Sequence, residues 1–221
     1  MSPRRVLRAL RRERGYTLVE MLTTLTILGV VMGALGTLFV SANNSEADMN
    51  NRFRAQQTAR LALDKLRREV HCASTATPGS ANGPTSTVTL TLASFCKTLP
   101  QPLPTPLPSY CSTSNGQSTC SVTWCTRNVA TNRYALYRIT GSTCGTSGGV
   151  KWADYLIPTT GAPASPTCTD GPLCAFTYAS PTTSLLAKLS VDLPINVRPR
   201  KTTELFELQD ALVLRNSTRS P

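Results

Sequence analysis

The sequence predicts an α+β protein in which a long N-terminal helix packs against an antiparallel β-sheet. Residues 16–42 are apolar, and a helical pattern of apolar side chains continues to about residue 72. Beyond residue 86, several runs alternate apolar and polar side chains with the period of two that is typical of strands. All eight cysteines lie at or after residue 72, so we expect a disulfide-rich head (residues 73–221) after the helix.

The charge of the chain is concentrated at its beginning. The 221 residues include 23 Lys and Arg against 12 Asp and Glu, for a net charge of +11. Residues 1–15 hold six arginines and one glutamate, and basic charge before an apolar run indicates a cytoplasmic N-terminus. The remaining charge is compatible with a nucleic-acid partner, but only "NRYALYR" (132–138) interleaves basic and aromatic side chains, so that partner is unsupported. We interpret the other cations of the head as ordinary solubilising charge, namely Arg127, Arg133, Arg138, Arg198, Arg200 and Lys201.

The apolar run is long enough to span a bilayer. It covers 27 residues (16–42), whereas a spanning helix needs about 20. A cleavable secretory signal has a shorter apolar core and a small-residue cleavage site, so the run predicts a membrane anchor. Within it only Glu20 is expected to be charged, although a carboxylate in a bilayer costs about 2.5–3.5 kcal/mol.

The helix is expected to continue from Tyr16 to about Cys72. No proline occurs between Pro3 and Pro78, and residues 43–72 carry a one-sided apolar pattern that a sheet would cover. The residues of that pattern are Met49, Phe53, Ala59, Leu63, Leu66 and Val70.

Three glycines are the weak points of this helix, namely Gly29, Gly33 and Gly36. Each costs about 1 kcal/mol relative to alanine. The spacing of Gly29 and Gly33 is also one that lets two helices approach closely. Ordinary glycine enrichment in membrane helices explains the presence of these glycines equally well.

The head is predicted to contain five or six strands. Residues 73–87 have the composition of a linker, and five prolines make residues 96–111 an extended loop. We expect a turn-rich cysteine loop at 166–174. The predicted strands are 87–95, the hairpin 118–128 and 132–140, a weaker strand at 150–157, and the paired runs 182–199 and 203–216.

The cysteines indicate disulfides in an oxidising, extracytoplasmic compartment. Metal binding is the weaker interpretation, because no C-x-x-C pair occurs and His71, the single histidine, is expected to be solvated or to cap a helix end. Eight cysteines allow 105 pairings. We predict pairing between sequence neighbours, namely Cys72–Cys96, Cys111–Cys120, Cys125–Cys144 and Cys168–Cys174.

The stretch "RGYTLVEMLTTLTILGVV" (14–31) resembles the N-terminal cleavage and methylation motif of type IV prepilins and pseudopilins. The resemblance implies that prepilin peptidase removes residues 1–15 after Gly15, that Tyr16 becomes an N-methylated N-terminus, and that Glu20 is the family's assembly glutamate. Tyr16 departs from the phenylalanine usual in the family but keeps an aromatic ring. "FELQDALVLRN" (206–216) also looks like the last strand of larger minor pilins and pseudopilins.

The resemblance further implies a pilin-like fold and a set of partners. These are prepilin peptidase, other pilin or pseudopilin subunits, an inner-membrane assembly platform, and membrane lipid before assembly. The implied location is the bacterial cytoplasmic membrane as a single-pass protein with an extracytoplasmic head, and then a filament at the cell surface. It also implies that Gly29 to Gly36 lies where filament subunits of the family lose helix locally.

No catalytic motif is apparent in the sequence, so we expect no enzyme activity and no cofactor. We interpret the scattered carboxylates of the head as solvated, namely Asp154, Asp170, Asp192, Glu204, Glu207 and Asp210. A head of about 150 residues favours a minor subunit, which adhesion, motility, secretion or DNA uptake would all accommodate. The alternative is a membrane-anchored, disulfide-rich binding domain that does not polymerise, and a secreted enzyme is disfavoured for want of a site.

Overall fold

A computed structural model describes residues 16–78, 83–114, 116–158, 168, 173–198 and 205–216. The chain divides into two compact units, residues 1–49 and 50–221. One helix, α1, covers Leu18–Cys72 and passes the predicted boundary at residue 42 without interruption. The strands are β1 (Ala73–Pro78), β2 (Pro84–Thr85), β3 (Thr87–Ala93), β4 (Cys111–Ser114), β5 (Gln117–Ala130), β6 (Arg133–Thr140), β7 (Val150–Leu156), β8 (Phe176–Ala179), β9 (Lys188–Ile195) and β10 (Phe206–Val213).

The described part of the first unit is helical from Leu18 to Met49, and its apolar side chains are exposed along that length. The three glycines of the apolar run lie within the helix. The helix begins beside Thr17, whose backbone carbonyl accepts the amide hydrogen of Met21 (3.1 Å) as the first intrahelical bond.

In the second unit, α1 buries one face against the sheet. Small alanines begin that face and larger side chains follow. The buried residues are Ala55, Ala59, Ala62, Leu63, Leu66, Glu69 and Val70. The predicted pattern was wrong at its beginning, because Met49 and Phe53 are 68% and 64% exposed.

The strands form an antiparallel sheet in the order β1-β3-β5-β6-β7-β9-β8-β2, with β10 paired to β9 and β4 paired to β5. Val88, Leu90 and Leu92 of β3 face the core, while the residues between them are partly exposed. The predicted hairpin is confirmed as β5 and β6, and the predicted pairing of the last two runs is confirmed as β9 and β10, which are in register over eight residue pairs.

The strand count from the sequence was wrong. Ten strands occur in the described residues, because the segment interpreted as a linker contains β1 and β2, and β4 and β8 were not predicted either. β2, β4 and β8 have two to four residues, which is too short for a period of two to appear. β1 has the sequence ASTATP, which contains two threonines but none of the apolar β-branched or aromatic side chains that mark a strand.

Four disulfides join the cysteines in the neighbouring pairs expected from the sequence. Cys72 at the end of α1 is joined to Cys96 beyond β3, so the helix end is tied to the loop that follows this strand. Cys111 and Cys120 face each other across β4 and β5. The predicted loop at 166–174 lies largely outside the described residues, apart from Cys168, Leu173 and Cys174.

Candidate functional site

The predicted processing site is only partly described. Gly15 lies outside the described residues, whereas Tyr16 is described and is 76% exposed. Thr17 precedes the first helical residue, and its hydroxyl accepts a hydrogen bond from the backbone N–H of Glu20 (3.2 Å). The Glu20 carboxylate in turn accepts one from the backbone N–H of Thr17 (3.4 Å). This reciprocal arrangement is a capping box.

The capping box gives Glu20 a partner within its own chain. The carboxylate lies in the first turn of α1, where the helix dipole favours negative charge. Our sequence interpretation missed this role, although T-x-x-E before an apolar run is its signature. The Glu20 carboxylate, which would be costly in an apolar environment, therefore stabilises the first turn of the helix.

The first unit presents an apolar surface in which the threonine hydroxyls are satisfied locally. The hydroxyls of Thr23, Thr24, Thr26 and Thr37 each donate to a carbonyl three residues earlier, at 2.8–3.0 Å. Such bonds remove the need for water around a polar side chain in an apolar medium. By length and composition, α1 is able to cross a membrane.

The three glycines leave open space beside this helix. A Cβ added at Gly29, Gly33 or Gly36 would meet no atom within 4 Å. Gly33 and Gly36 line a shallow groove on the helix surface together with Thr37, Val40, Ser41 and Asn44. Small side chains of this kind let a second helix approach closely.

The second unit contains a buried charge that the sequence interpretation missed. Glu69 is fully buried on the inner face of α1. Its carboxylate accepts hydrogen bonds from the indole N–H of Trp124 (2.7 Å) and from Nε of Arg138 (2.8 Å), and Lys65 Nζ lies 3.6 Å away. The interpretation of Arg138 as solubilising charge was therefore wrong, because it forms an ion pair that joins β6 to α1.

Asp154 was also wrongly interpreted as a solvated carboxylate. It accepts two hydrogen bonds from Arg133 (2.9 and 2.8 Å), one from Lys151 (2.7 Å) and one from the backbone N–H of Tyr155 (2.7 Å). Burial raises its pKa, but these donors outweigh burial and hold the pKa below the usual value. Arg133 also lies over the ring of Tyr155, 3.9 Å from its centroid.

Asp192 on β9 is a half-buried carboxylate. Its Oδ1 is buried and has no hydrogen-bond partner among the described residues. Burial and the neighbouring carboxylate of Glu207 raise the pKa of Asp192 to about 6. The interpretation of Asp192 as solvated was wrong, because Asp192 forms a like-charge pair with Glu207 across β9 and β10.

We expect Asp192→Asn to stabilise the head at neutral pH. The folded chain holds the proton up to about pH 6, whereas unfolded aspartate releases it near pH 4, so stability falls as the pH rises through this interval. The substitution removes that penalty. It should raise the free energy of unfolding by roughly 1–2 kcal/mol at about pH 7.5, and the gain should vanish below about pH 4.

Urea unfolding of the oxidised chain in detergent, followed by tryptophan fluorescence at both pH values, measures this difference. Asp64→Asn, at an exposed carboxylate on α1, is the matched control and should show no such pH dependence. An equal gain for both variants, or a gain that persists in acid, would contradict the assignment.

The described residues offer no group of three or more His, Cys, Asp or Glu side chains that could hold a metal ion. His71 lies in the last turn of α1, as expected for a residue near a helix end. Burial and the nearby Arg215 and Arg67 lower its pKa.

A family model, described as the prokaryotic N-terminal methylation motif, matches residues 10–36. This match spans the end of the basic leader, Tyr16, Glu20 and most of the apolar run. Neither a curated protein nor a solved structure shows significant similarity to the chain. The apolar helix and the motif together fit membrane anchoring. The motif supports the type IV prepilin-like superfamily, and the long helix with the disulfide-linked antiparallel sheet is consistent with a pilin-like α+β fold.

Proposed function

We propose that this protein is a minor type IV pilin or pseudopilin subunit that is assembled into an extracytoplasmic filament or primes its assembly. The observation that carries the proposal is the methylation motif at residues 10–36, which overlaps the exposed apolar start of the helix α1. Prepilin peptidase cuts after Gly15, and the new α-amino group of Tyr16 is methylated.

Glu20 acts in assembly through its charge. Cleavage creates a cationic amine four residues before it, and the carboxylate pairs with the amine of a neighbouring subunit in an apolar core. In the isolated chain the same carboxylate accepts from Thr17. Assembly therefore exchanges a local hydrogen bond for an ion pair between subunits, and this pair sets the axial register.

The proposed topology follows from charge and redox chemistry. The arginines of the leader keep the N-terminus in the cytoplasm, and the four disulfides belong to a head in an oxidising compartment. Lipid surrounds the apolar half of α1 before assembly. Other subunits and an assembly platform replace the lipid later, and the groove beside Gly33 and Gly36 gives a neighbouring helix room to approach.

The size of the head favours a minor subunit. About 150 residues follow α1, and the part of them that the structure describes forms ten strands and four disulfides, which is more elaborate than a repeating subunit needs. Adhesion, motility, secretion and DNA uptake all accommodate such a subunit. We further propose that the chain is the substrate of cleavage and methylation rather than a catalyst.

The second candidate is a membrane-anchored binding domain that does not polymerise. It is favoured by the second unit (residues 50–221), in which the head and the end of α1 share one hydrophobic core. This candidate retains residues 1–15 and has no use for the charge of Glu20.

Intact mass spectrometry of the membrane-extracted protein distinguishes the two candidates. We expect a chain that begins at Tyr16 and carries one added methyl group, and Gly15 replaced by a bulky residue should abolish both changes. A mature protein that retains residues 1–15 would refute the proposed function and support the anchored domain.

A further inference from the structure

A pocket of about 350 Å³ opens between the β4–β5 hairpin and the end of β6. Its volume is at the lower end of the range of small-molecule sites, about 300–1,000 Å³. Besides Tyr110, six serine and threonine hydroxyls line it, and they come from three separate segments: Ser109, Ser112, Ser121, Thr140, Ser142 and Thr143.

The frame of this pocket is fixed by covalent and backbone bonds. Cys111, which lines the pocket, is joined to Cys120 on β5, and Cys144, which follows the lining residue Thr143, is joined to Cys125 on β5. Across the floor, the backbone N–H of Ser121 donates to the carbonyl of Tyr110 (2.8 Å), and that of Gly141 donates to the carbonyl of Ser121 (2.8 Å). The hydroxyls are therefore held on a preorganised backbone.

The six hydroxyls are not used by the fold. None of them forms a side-chain hydrogen bond within the described part of the chain. Nearby hydroxyls behave differently, because Thr123 donates to the carbonyl of Gly141 (2.7 Å) and Thr113 bonds to Ser118 (3.0 Å). The pocket thus concentrates hydroxyls that remain free to bond a ligand.

The chemistry of the lining defines the ligand class. None of the lining residues is Asp, Glu, Lys, Arg or His, so the pocket offers no charge to hold an ionic ligand. The lining is also too polar for a purely apolar ligand. Each hydroxyl both donates and accepts hydrogen bonds, which matches the adjacent donors and acceptors on the hydroxyls of a sugar ring.

We propose that this pocket is a binding site for one or two units of a neutral oligosaccharide. The inference goes beyond the proposed function, because binding needs only the folded head and neither cleavage nor polymerisation. Tyr110 packs against the core and lines the pocket, so it holds the wall from which Ser109 and Ser112 extend.

The test is saturation-transfer NMR on the full-length oxidised protein, in a detergent without a sugar headgroup. The probes are maltohexaose, cellohexaose, chitohexaose and mannohexaose, with hexagalacturonate as the anionic comparison. We expect saturable binding of at least one neutral probe below about 10 mM, unchanged by added salt because no ion pair is involved.

Thr140→Val with Ser142→Ala should weaken that binding by about tenfold or more, because two neutral hydrogen bonds are lost. Thr113→Val with Ser118→Ala is the matched control, since it removes the same groups from a hydroxyl pair outside the pocket. Circular dichroism and intact mass establish that both variants are folded and oxidised. Failure of all four neutral probes to bind, preference for the anionic probe, or equal loss in both variants would overturn the site and leave the filament proposal untouched.

Discussion

Replacing Glu69 by alanine is expected to destabilise the head by about 3–5 kcal/mol. Its carboxylate is fully buried and accepts from both Trp124 and Arg138. Alanine would leave a guanidinium that is 13% exposed without its counter-charge and a buried indole N–H without an acceptor. The two partners left without the carboxylate, together with the space left by the side chain, make this the largest stability effect that we expect.

Glu69→Gln separates the ion pair from the hydrogen bond. Glutamine retains an oxygen that accepts from Trp124 but leaves the charge of Arg138 uncompensated, so the loss should be smaller than for alanine. Asp64→Ala, on the exposed side of the same helix, is the control and should change stability by less than about 1 kcal/mol. Urea unfolding followed by tryptophan fluorescence measures all three. Equal stability of the Glu69→Ala and Asp64→Ala chains would show that the buried cluster does not join α1 to the sheet.

The example of Glu69 shows what a sequence pattern predicts and what it does not: the helix face on which a residue lies, but not its partners. It lies three residues after Leu66 and seven after Ala62, so helical periodicity places it on the buried face. Because charged residues are rarely fully buried without a partner, the sequence alone predicts that such a side chain is exposed to solvent. These partners, Trp124 and Arg138, lie 55 and 69 residues further along the chain, and only the sheet topology brings them to the helix.

For the disulfides, the predicted pairing was confirmed although the strands that explain it were not all predicted. Pairing by sequence neighbours agrees with the structure because two of the bridges span local hairpins. Cys111 faces Cys120 through β4 and β5, and Cys72 reaches Cys96 because β1 and β3 are paired. Neither β1 nor β4 was predicted, so the geometric reason for these bridges could not be read from the sequence.

The N-terminal motif could be recognised from the sequence because it depends on local spacing. The family model matches residues 10–36, a range that includes Tyr16 and Glu20, and the roles of these two residues stay predictions. The capping box was equally accessible, since Thr17 and Glu20 are three residues apart. The pocket at the end of β6 was not, because its hydroxyls come from three segments that only the folded sheet assembles.

Glu20→Ala is expected to leave cleavage after Gly15 intact and to reduce recovery of the protein with filaments by more than about tenfold. The unpaired amine of a neighbouring subunit would lie in an apolar core, and removing one member of a buried pair costs about 3–5 kcal/mol. Immunoblots of sheared filaments and of the membrane fraction measure the distribution. Glu46→Ala, an exposed carboxylate later in the same helix, is the matched control and should distribute like the unaltered chain.

Two further substitutions decide whether Glu20 acts through its charge or through the helix cap. Glu20→Gln retains a side-chain oxygen for the backbone N–H of Thr17 but cannot neutralise an amine, whereas Thr17→Ala removes the reciprocal hydroxyl and keeps the charge. If pairing between subunits governs assembly, the glutamine variant should fail like alanine, and Thr17→Ala should lose only the cap, worth about 1 kcal/mol. The reverse pattern, with a functional glutamine and a defective Thr17→Ala, would assign the role to the cap and refute the amine pairing. Both variants keep the Gly15–Tyr16 junction, so we expect both to be cleaved. Intact mass checks this cleavage and thereby separates a failure of assembly from a failure of processing.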